Sequence, residues 1–249
     1  SESSGREYME RFGFKTKYRL SSKSCGTHHG ISTTEYEQIV VETNDMSFND
    51  FLKIREFHFL ILLLGSNVFK EFQHILRCTK FDIAEITKLI VEEESLWPKN
   101  FADLMSGYRK ACKNELLSEE DTKKEINEKE VKKILKKQIA LAPAAICKLF
   151  SKRENIEEFF KFLSQSISRN LGKVLPKDII DEINICLDFS IDRAVYYDDL
   201  NNNRIVEYGY DIDAWLQSKM SERLSKFKTQ NNISYSLKLE DGLEDAFEK

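Results

Sequence analysis

Glycine and proline are scarce, 9 and 3 of 249 residues. That excludes a fold built on many tight turns and points to helices. Cysteine is also thin. The five thiols (Cys25, Cys78, Cys112, Cys147 and Cys186) are scattered, odd in number and free of any CxxC pair. A disulfide framework is not expected, and reduced thiols in a cytoplasm fit better. Excess positive charge is missing: the net charge of −4 gives no global field toward nucleic acid or an anionic membrane. Long apolar runs are missing too. The longest, Phe59–Leu64, is far below the roughly 18 residues that span a bilayer. There is no signal peptide, no internal repeat, and no GxGxxG, Walker loop, G-x-S-x-G or HExxH. No complete catalytic motif is present.

What remains is the composition of a soluble globular protein, 32% charged and 41% hydrophobic. The most informative stretch is Glu35 to Gly65. Ile39, Val40 and Val41 are β-branched and favour a strand. Thr43-Asn44-Asp45 breaks it. Ser47 suits a helix N-cap, with Asp50 placed to reach back as in a capping box and Met46 and Phe51 as a hydrophobic staple. The helix closes into FLILLL, apolar all round, which predicts burial. His58, set among those apolar residues, is expected to be a hydrogen-bonded core histidine.

Residues 1–20 read as a short amphipathic helix and a strand from Lys15, able to pair antiparallel with the Ile39–Val41 strand. After Gly65 helical stripes follow one another. Asp82 stands near one helix start and Pro98 opens another, with Phe101, Leu104, Met105, Tyr108 and Cys112 inward. Ser118 marks an N-terminus before a Glu/Lys-dense run with a thin stripe of Ile126, Val131, Ile134 and Leu135. Pro143 interrupts the pattern. Ile156 to Leu171 and Ile180 to Ile191 are clear stripes, the second opened by Pro176. RAVYYDDLNNNRIVEYGY reads as two short strands around an Asn-rich turn, followed by a short helix and a strand. The fold class is therefore mainly α (α+β): a small N-terminal β element, a multi-helix body and a C-terminal β-hairpin. Segments 1–46, 47–193 and 194–249 divide it.

Several clusters can carry chemistry. Cys25, His28 and His29 share one loop, but a closed zinc site needs about four ligands and no partner pair follows, so a solvated polar loop is expected. Asp199, Asn201 and Asn203 begin like a calcium loop. Arg204 stands where glycine is required and Tyr210 where the last glutamate is, so a turn is the better reading. Tyr196, Tyr197, Tyr208, Tyr210 and Trp215 stand among Asp198, Asp199, Asp211 and Asp213. They either line a sugar or cation pocket or pack a hairpin on the helices with wet hydroxyls. Lys123, Lys124, Lys132, Lys133, Lys136 and Lys137 form a patch diluted by glutamates, a solvated helix face.

Residues 5–64 carry short motifs in a definite order. Lys15, Thr16, Lys17, Tyr18 and Arg19 come first, then Cys25-Gly26 in the loop. Glu35, Tyr36, Glu37, Ile39 and Val40 follow, then Thr43, Met46, Ser47 and Asp50, with Arg55 after. In that order they resemble the segment that follows the catalytic core in cobalamin-binding radical-SAM proteins. The resemblance implies a parent enzyme with a four-iron cluster, S-adenosylmethionine and cobalamin, all bound outside this chain, which has no CxxxCxxC loop. It implies an upstream radical-SAM core as partner, for which this chain closes the open end and shapes the substrate site. Lys17, Arg19, Glu35, Glu37, Thr43 and Arg55 are then the substrate-facing candidates. Lys17 and Arg19 meet either an anionic substrate or Glu35 and Glu37, and structural pairing is the expectation. The first residue, Ser1, is not Met, as expected of a cut or longer polypeptide. The reading from a different class is a free-standing helical interaction module. An enzyme tail should show an open sheet edge or apolar patch near residues 1–40; a module should be closed there and carry a groove between helices. A third reading, an independent hydrolase or transferase, needs a pocket with convergent titratable groups.

Overall fold

The computed structural model describes residues 5–20, 26–28, 31–33, 35–123, 141–194 and 204–237. The chain opens with helix α1 (Arg6–Arg11) and strands β1 (Lys15–Leu20), β2 (Gly26–His28), β3 (Ile31–Thr33) and β4 (Tyr36–Glu42). Helices α2 (Phe48–Leu64), α3 (Lys70–Arg77), α4 (Ile83–Glu92), α5 (Lys99–Asn114) and α6 (Glu119–Thr122) follow. Then come α7 (Leu141–Leu149), α8 (Arg153–Leu171) and α9 (Lys177–Arg193). Strand β5 (Arg204–Tyr210), helix α10 (Ile212–Gln217) and strand β6 (Lys228–Leu237) complete the described chain. The protein is mainly α, with small antiparallel strand pairs.

Two compact units form, each from two chain segments. The first takes Ser1–Phe59 and Asp103–Ile146, the second Leu60–Ala102 and Cys147–Lys249. In the first unit β1 pairs with β4, Leu20 opposite Tyr36 and Arg19 opposite Glu37, as the β-branched run predicts. Gly13 turns the chain from α1 into β1 at φ +63°, a conformation that L side chains rarely adopt. A Cβ there would sit 2.1 Å from Asn44 Oδ1. Asn44 in turn donates from its backbone to Phe12 O and from its side chain to Arg11 O, which fixes α1 beside the end of β4. Ser47 and Asp50 form the expected reciprocal cap: Asp50 N donates to Ser47 Oγ at 3.2 Å, and Ser47 N to Asp50 Oδ2 at 3.1 Å.

Helix α2 departs from the expectation of burial all round. Phe59, Leu60, Leu63 and Leu64 are buried, but Ile54 is 57% and Leu62 44% exposed, and His58 is exposed between them. Positions four apart share one face, so composition hid a wet stripe that spacing would have drawn. His58 is thus a surface residue. No single helix among the described residues is long and apolar enough to cross a membrane.

In the second unit α9 packs on α3 and α8, and α4 packs on α8. Phe69 stacks on Phe160 with ring centroids 4.8 Å apart, and Phe101 tilts against Phe159 at 4.6 Å. The stripes from Ile156 to Leu171 and from Ile180 to Leu187 are buried as their spacing predicts, while Ile191 is half-buried. Asp82 and Glu85 cap α4 reciprocally. Pro143 lies inside α7 as its third residue, in the first turn, where the missing N–H leaves no bond unmade. Strand β5 pairs with β6, which the sequence presents as a separate strand. The Asn-rich turn, with Tyr196, Tyr197, Asp198, Asp199, Asn201 and Asn203, lies outside the described residues. So do Lys124, the lysines from Lys132 to Lys137 and the stripe from Ile126 to Leu135.

Candidate functional site

Side chains alternate along a strand, so Lys15, Lys17 and Arg19 leave β1 on one face. Opposite them on β4, Glu37 faces Arg19 and Ile39 faces Lys17. Arg19 Nη2 meets Glu37 Oε2 at 2.7 Å, the structural pairing that the sequence favours. Lys15 Nζ meets Glu42 Oε2, also at 2.7 Å. Lys17 is half-buried, flanked on its face by these two ion-paired cations, and has no ion pair of its own among the described residues. Glu35 is exposed just ahead of β4. Thr43 is occupied locally: its Oγ1 accepts from Asp45 N at 3.2 Å and Met46 N at 3.1 Å, closing the turn into α2.

Arg55 reaches into a buried cluster. Its Nη1 meets Glu115 Oε1 at 2.5 Å, and the Glu115 side chain is only 3% exposed. Burial raises the Glu115 carboxyl above its ordinary value, opposed by the guanidiniums of Arg55 and Arg19. Two predicted site residues from different elements therefore act on one carboxylate that the sequence did not single out. The Arg55 guanidinium loses basicity by burial, but nearby Cys112 and Glu115 more than restore it. Cys112 and Tyr108 complete the cluster. Burial pushes the Cys112 thiol up against the pull of Arg55, and burial pushes the Tyr108 hydroxyl up as well. A thiol held protonated is the reverse of an activated nucleophile. Alongside, Arg109 Nε bonds Glu56 Oε1, and Tyr108 packs on Phe59 at 4.8 Å between centroids.

The site thus brings together Arg19, Glu37 and Arg55, with Lys17 on the same sheet face, and leaves Glu35 and Thr43 apart. Sequence reading missed Glu115, Glu56 and Arg109. Tyr108 and Cys112 were legible as inward positions one turn apart. Glu115, just past the end of α5, looks like any solvated acid, and no spacing marks it.

The remaining candidates resolve as follows. His28 lies in β2 opposite Ile31, while Cys25 and His29 lie outside the described residues. Among the described residues no three His, Cys, Asp or Glu side chains converge to hold a metal ion. With no CxxxCxxC in the sequence, this donor set does not fit an iron–sulfur cluster. In the second unit Tyr208 O–H donates to Asp192 Oδ2 at 2.6 Å, and burial raises its phenol. Asp192 also meets Arg153 at 2.9 Å. Trp215 is buried, its Nε1–H given to Glu222 O, and Asp211 caps α10. These partners make the described part of the Tyr/Asp cluster a packed scaffold, with a cleft of about 440 Å³ beside Tyr208.

No protein-family model matches this chain, and no curated protein matches it.

Proposed function

We propose that this chain is the C-terminal substrate-shaping portion of a radical-SAM enzyme of the cobalamin-binding kind, working in the cytoplasm beside an upstream catalytic core. The observation that supports the reading is the edge of β4. Its inner side pairs with β1, and among the described residues no strand covers its outer side. An open edge is a template for a further strand. At one end of it α1 holds an aromatic group: Tyr8 and Phe12 lie 4.5 Å apart and Phe14 lies 5.8 Å from Tyr8, with Tyr8 38% exposed. Edge and aromatics together are the surface expected where a core would join.

In this reading the iron–sulfur cluster, S-adenosylmethionine and cobalamin belong to the core, which supplies the radical chemistry. The chain's own part is to bind and orient. Lys17 is the cation available for an anionic substrate, since Arg19 and Arg55 are held by Glu37 and Glu115. The test begins with the reading frame upstream of the Ser1 codon. A CxxxCxxC loop in that frame supports the proposal, and a start codon directly before Ser1 overturns it. In the longer protein, Lys17→Glu should leave cleavage of S-adenosylmethionine intact and depress product formation. Equal loss of both would remove Lys17 from the substrate site.

A second reading, a helical interaction module, is favoured by one observation, a groove in the second unit.

A further inference from the structure

The groove runs along α8. Glu158, Lys161, Phe162, Gln165 and Arg169 stand three or four residues apart, one helix face over three turns, about 16 Å long. The opposite wall runs from Leu96 into the first two residues of α5, Lys99 and Asn100. The space between is about 500 Å³. Its floor is apolar. Phe162 is buried, Pro98 lies beside it, and Leu96 is 54% exposed at its rim.

The charges around that floor are unequal. Arg169 is spent on Glu93, with Nη2–Oε2 at 2.6 Å and Nε–Oε1 at 3.2 Å. Glu158 accepts from the neutral amide of Asn100 at 3.2 Å. Lys99 and Lys161 both line the groove, and among the described residues neither has an ion pair. With Arg169 offset by Glu93, the two lysines outweigh the single Glu158 carboxylate, and on a chain whose net charge is −4 the groove is locally positive over an apolar strip. It is an open trough, with Leu96, Lys161 and Gln165 all exposed. A trough does not enclose a small ligand, which wants most of its surface covered. It does match the side of a helix, whose apolar residues recur at the same three- and four-residue spacing as those of α8.

We infer that the groove between α8 and the Leu96–Asn100 wall docks an acidic amphipathic helix of a partner protein. Apolar residues of that helix cover Leu96 and Pro98 above the buried Phe162. Its carboxylates meet Lys99 and Lys161, setting orientation and speeding encounter.

The experiment uses the full chain and dye-labelled synthetic helices, read by fluorescence anisotropy. Each probe carries leucines at i, i+4 and i+7 with glutamates flanking them. A second set has the same composition in scrambled order, and a third has lysine in place of glutamate. The acidic helices should bind, more weakly as salt rises, and the scrambled and basic sets should not. Lys99→Glu with Lys161→Glu should cut affinity roughly tenfold or more and allow the basic helix to bind instead. Leu96→Asp should also lose affinity while keeping both lysines. All three positions line the surface, and circular dichroism checks that the fold is kept. The inference is overturned if scrambled helices bind as well as patterned ones, or if the charge reversal changes nothing. Absence of binding up to the solubility limit overturns it too, as does competitive displacement by dodecanoate, which would make this a site for a small acyl anion.

Discussion

Glu37 and Glu115 each hold an arginine, yet the two bonds differ in what they are worth. Glu37 is half in solvent, its side chain 52% exposed, whereas Glu115 is 3% exposed. Water screens the first pair and not the second. Arg19→Ala should cost less than about 1 kcal/mol in urea unfolding, as exposed pairs do. Arg55→Met leaves the Glu115 carboxylate buried without its guanidinium and should cost about 3 kcal/mol. If the two costs came out equal, the buried cluster would not be the anchor described. A different residue sets the acid limb. The Glu93 carboxyl is held at about 2 against an ordinary 4.5, first by its bonds from Arg169, then against some desolvation and with help from Asn170. A lowered carboxyl makes the folded state bind its proton less readily than the unfolded one. Its contribution is therefore complete above 4.5 and is lost as pH falls toward about 2. Glu93→Gln should lower stability by a constant amount at neutral pH, and the gap to the parent protein should close across that window. Titrating both by circular dichroism checks it.

At the scale of elements, caps and corners were the parts the sequence showed best. Ser47-x-x-Asp50 forms the reciprocal cap expected of it, and the helix starts marked by Asp82 and Ser118 carry reciprocal caps with Glu85 and Asp121. Local hydrogen bonding at fixed spacing is a short-range problem, so short-range text encodes it. Ser47→Ala should cost about 1 kcal/mol in thermal unfolding. Gly13→Ala should cost at least about 1 kcal/mol, because the positive φ and the close approach of Asn44 act together. The stitching of α9 was not legible. Near its start Glu182, 2% exposed, takes Arg223 at 2.7 Å, and at its end Arg193 reaches the fully buried Glu71 at 2.9 Å. Each partner is distant in sequence, and an isolated acid on a helix reads as a surface residue. Arg193→Met alone should strongly destabilise the protein, while pairing it with Glu71→Met should recover most of the loss. A double-mutant cycle in urea measures the difference, and simple additivity of the two substitutions would count against a buried pair.

At the scale of the molecule, the helical class and the β1–β4 pairing followed from periodicity and β-branching, both properties of neighbouring residues. The grouping of the chain did not, because it depends on which distant segments meet. Nor was the wet face of α2 read, although Ile54, His58 and Leu62 repeat at the period of a helix inside a run that composition marks as core. The candidate site was half legible. The motif residues of β1 and β4 stood out, while their buried counterpart Glu115 arrived from more than sixty positions away. The interlaced grouping has a consequence during synthesis. The first unit needs residues up to Ile146, and the second begins at Leu60 but needs residues after Cys147. A ribosome therefore cannot release one finished unit before starting the other. The Phe59–Leu64 run lies where the first segments of the two units meet, and it emerges before the second segment of either unit is made. During that interval it is the segment a chaperone would hold, and pauses in translation before Cys147 should lower the yield of folded protein more than pauses after it.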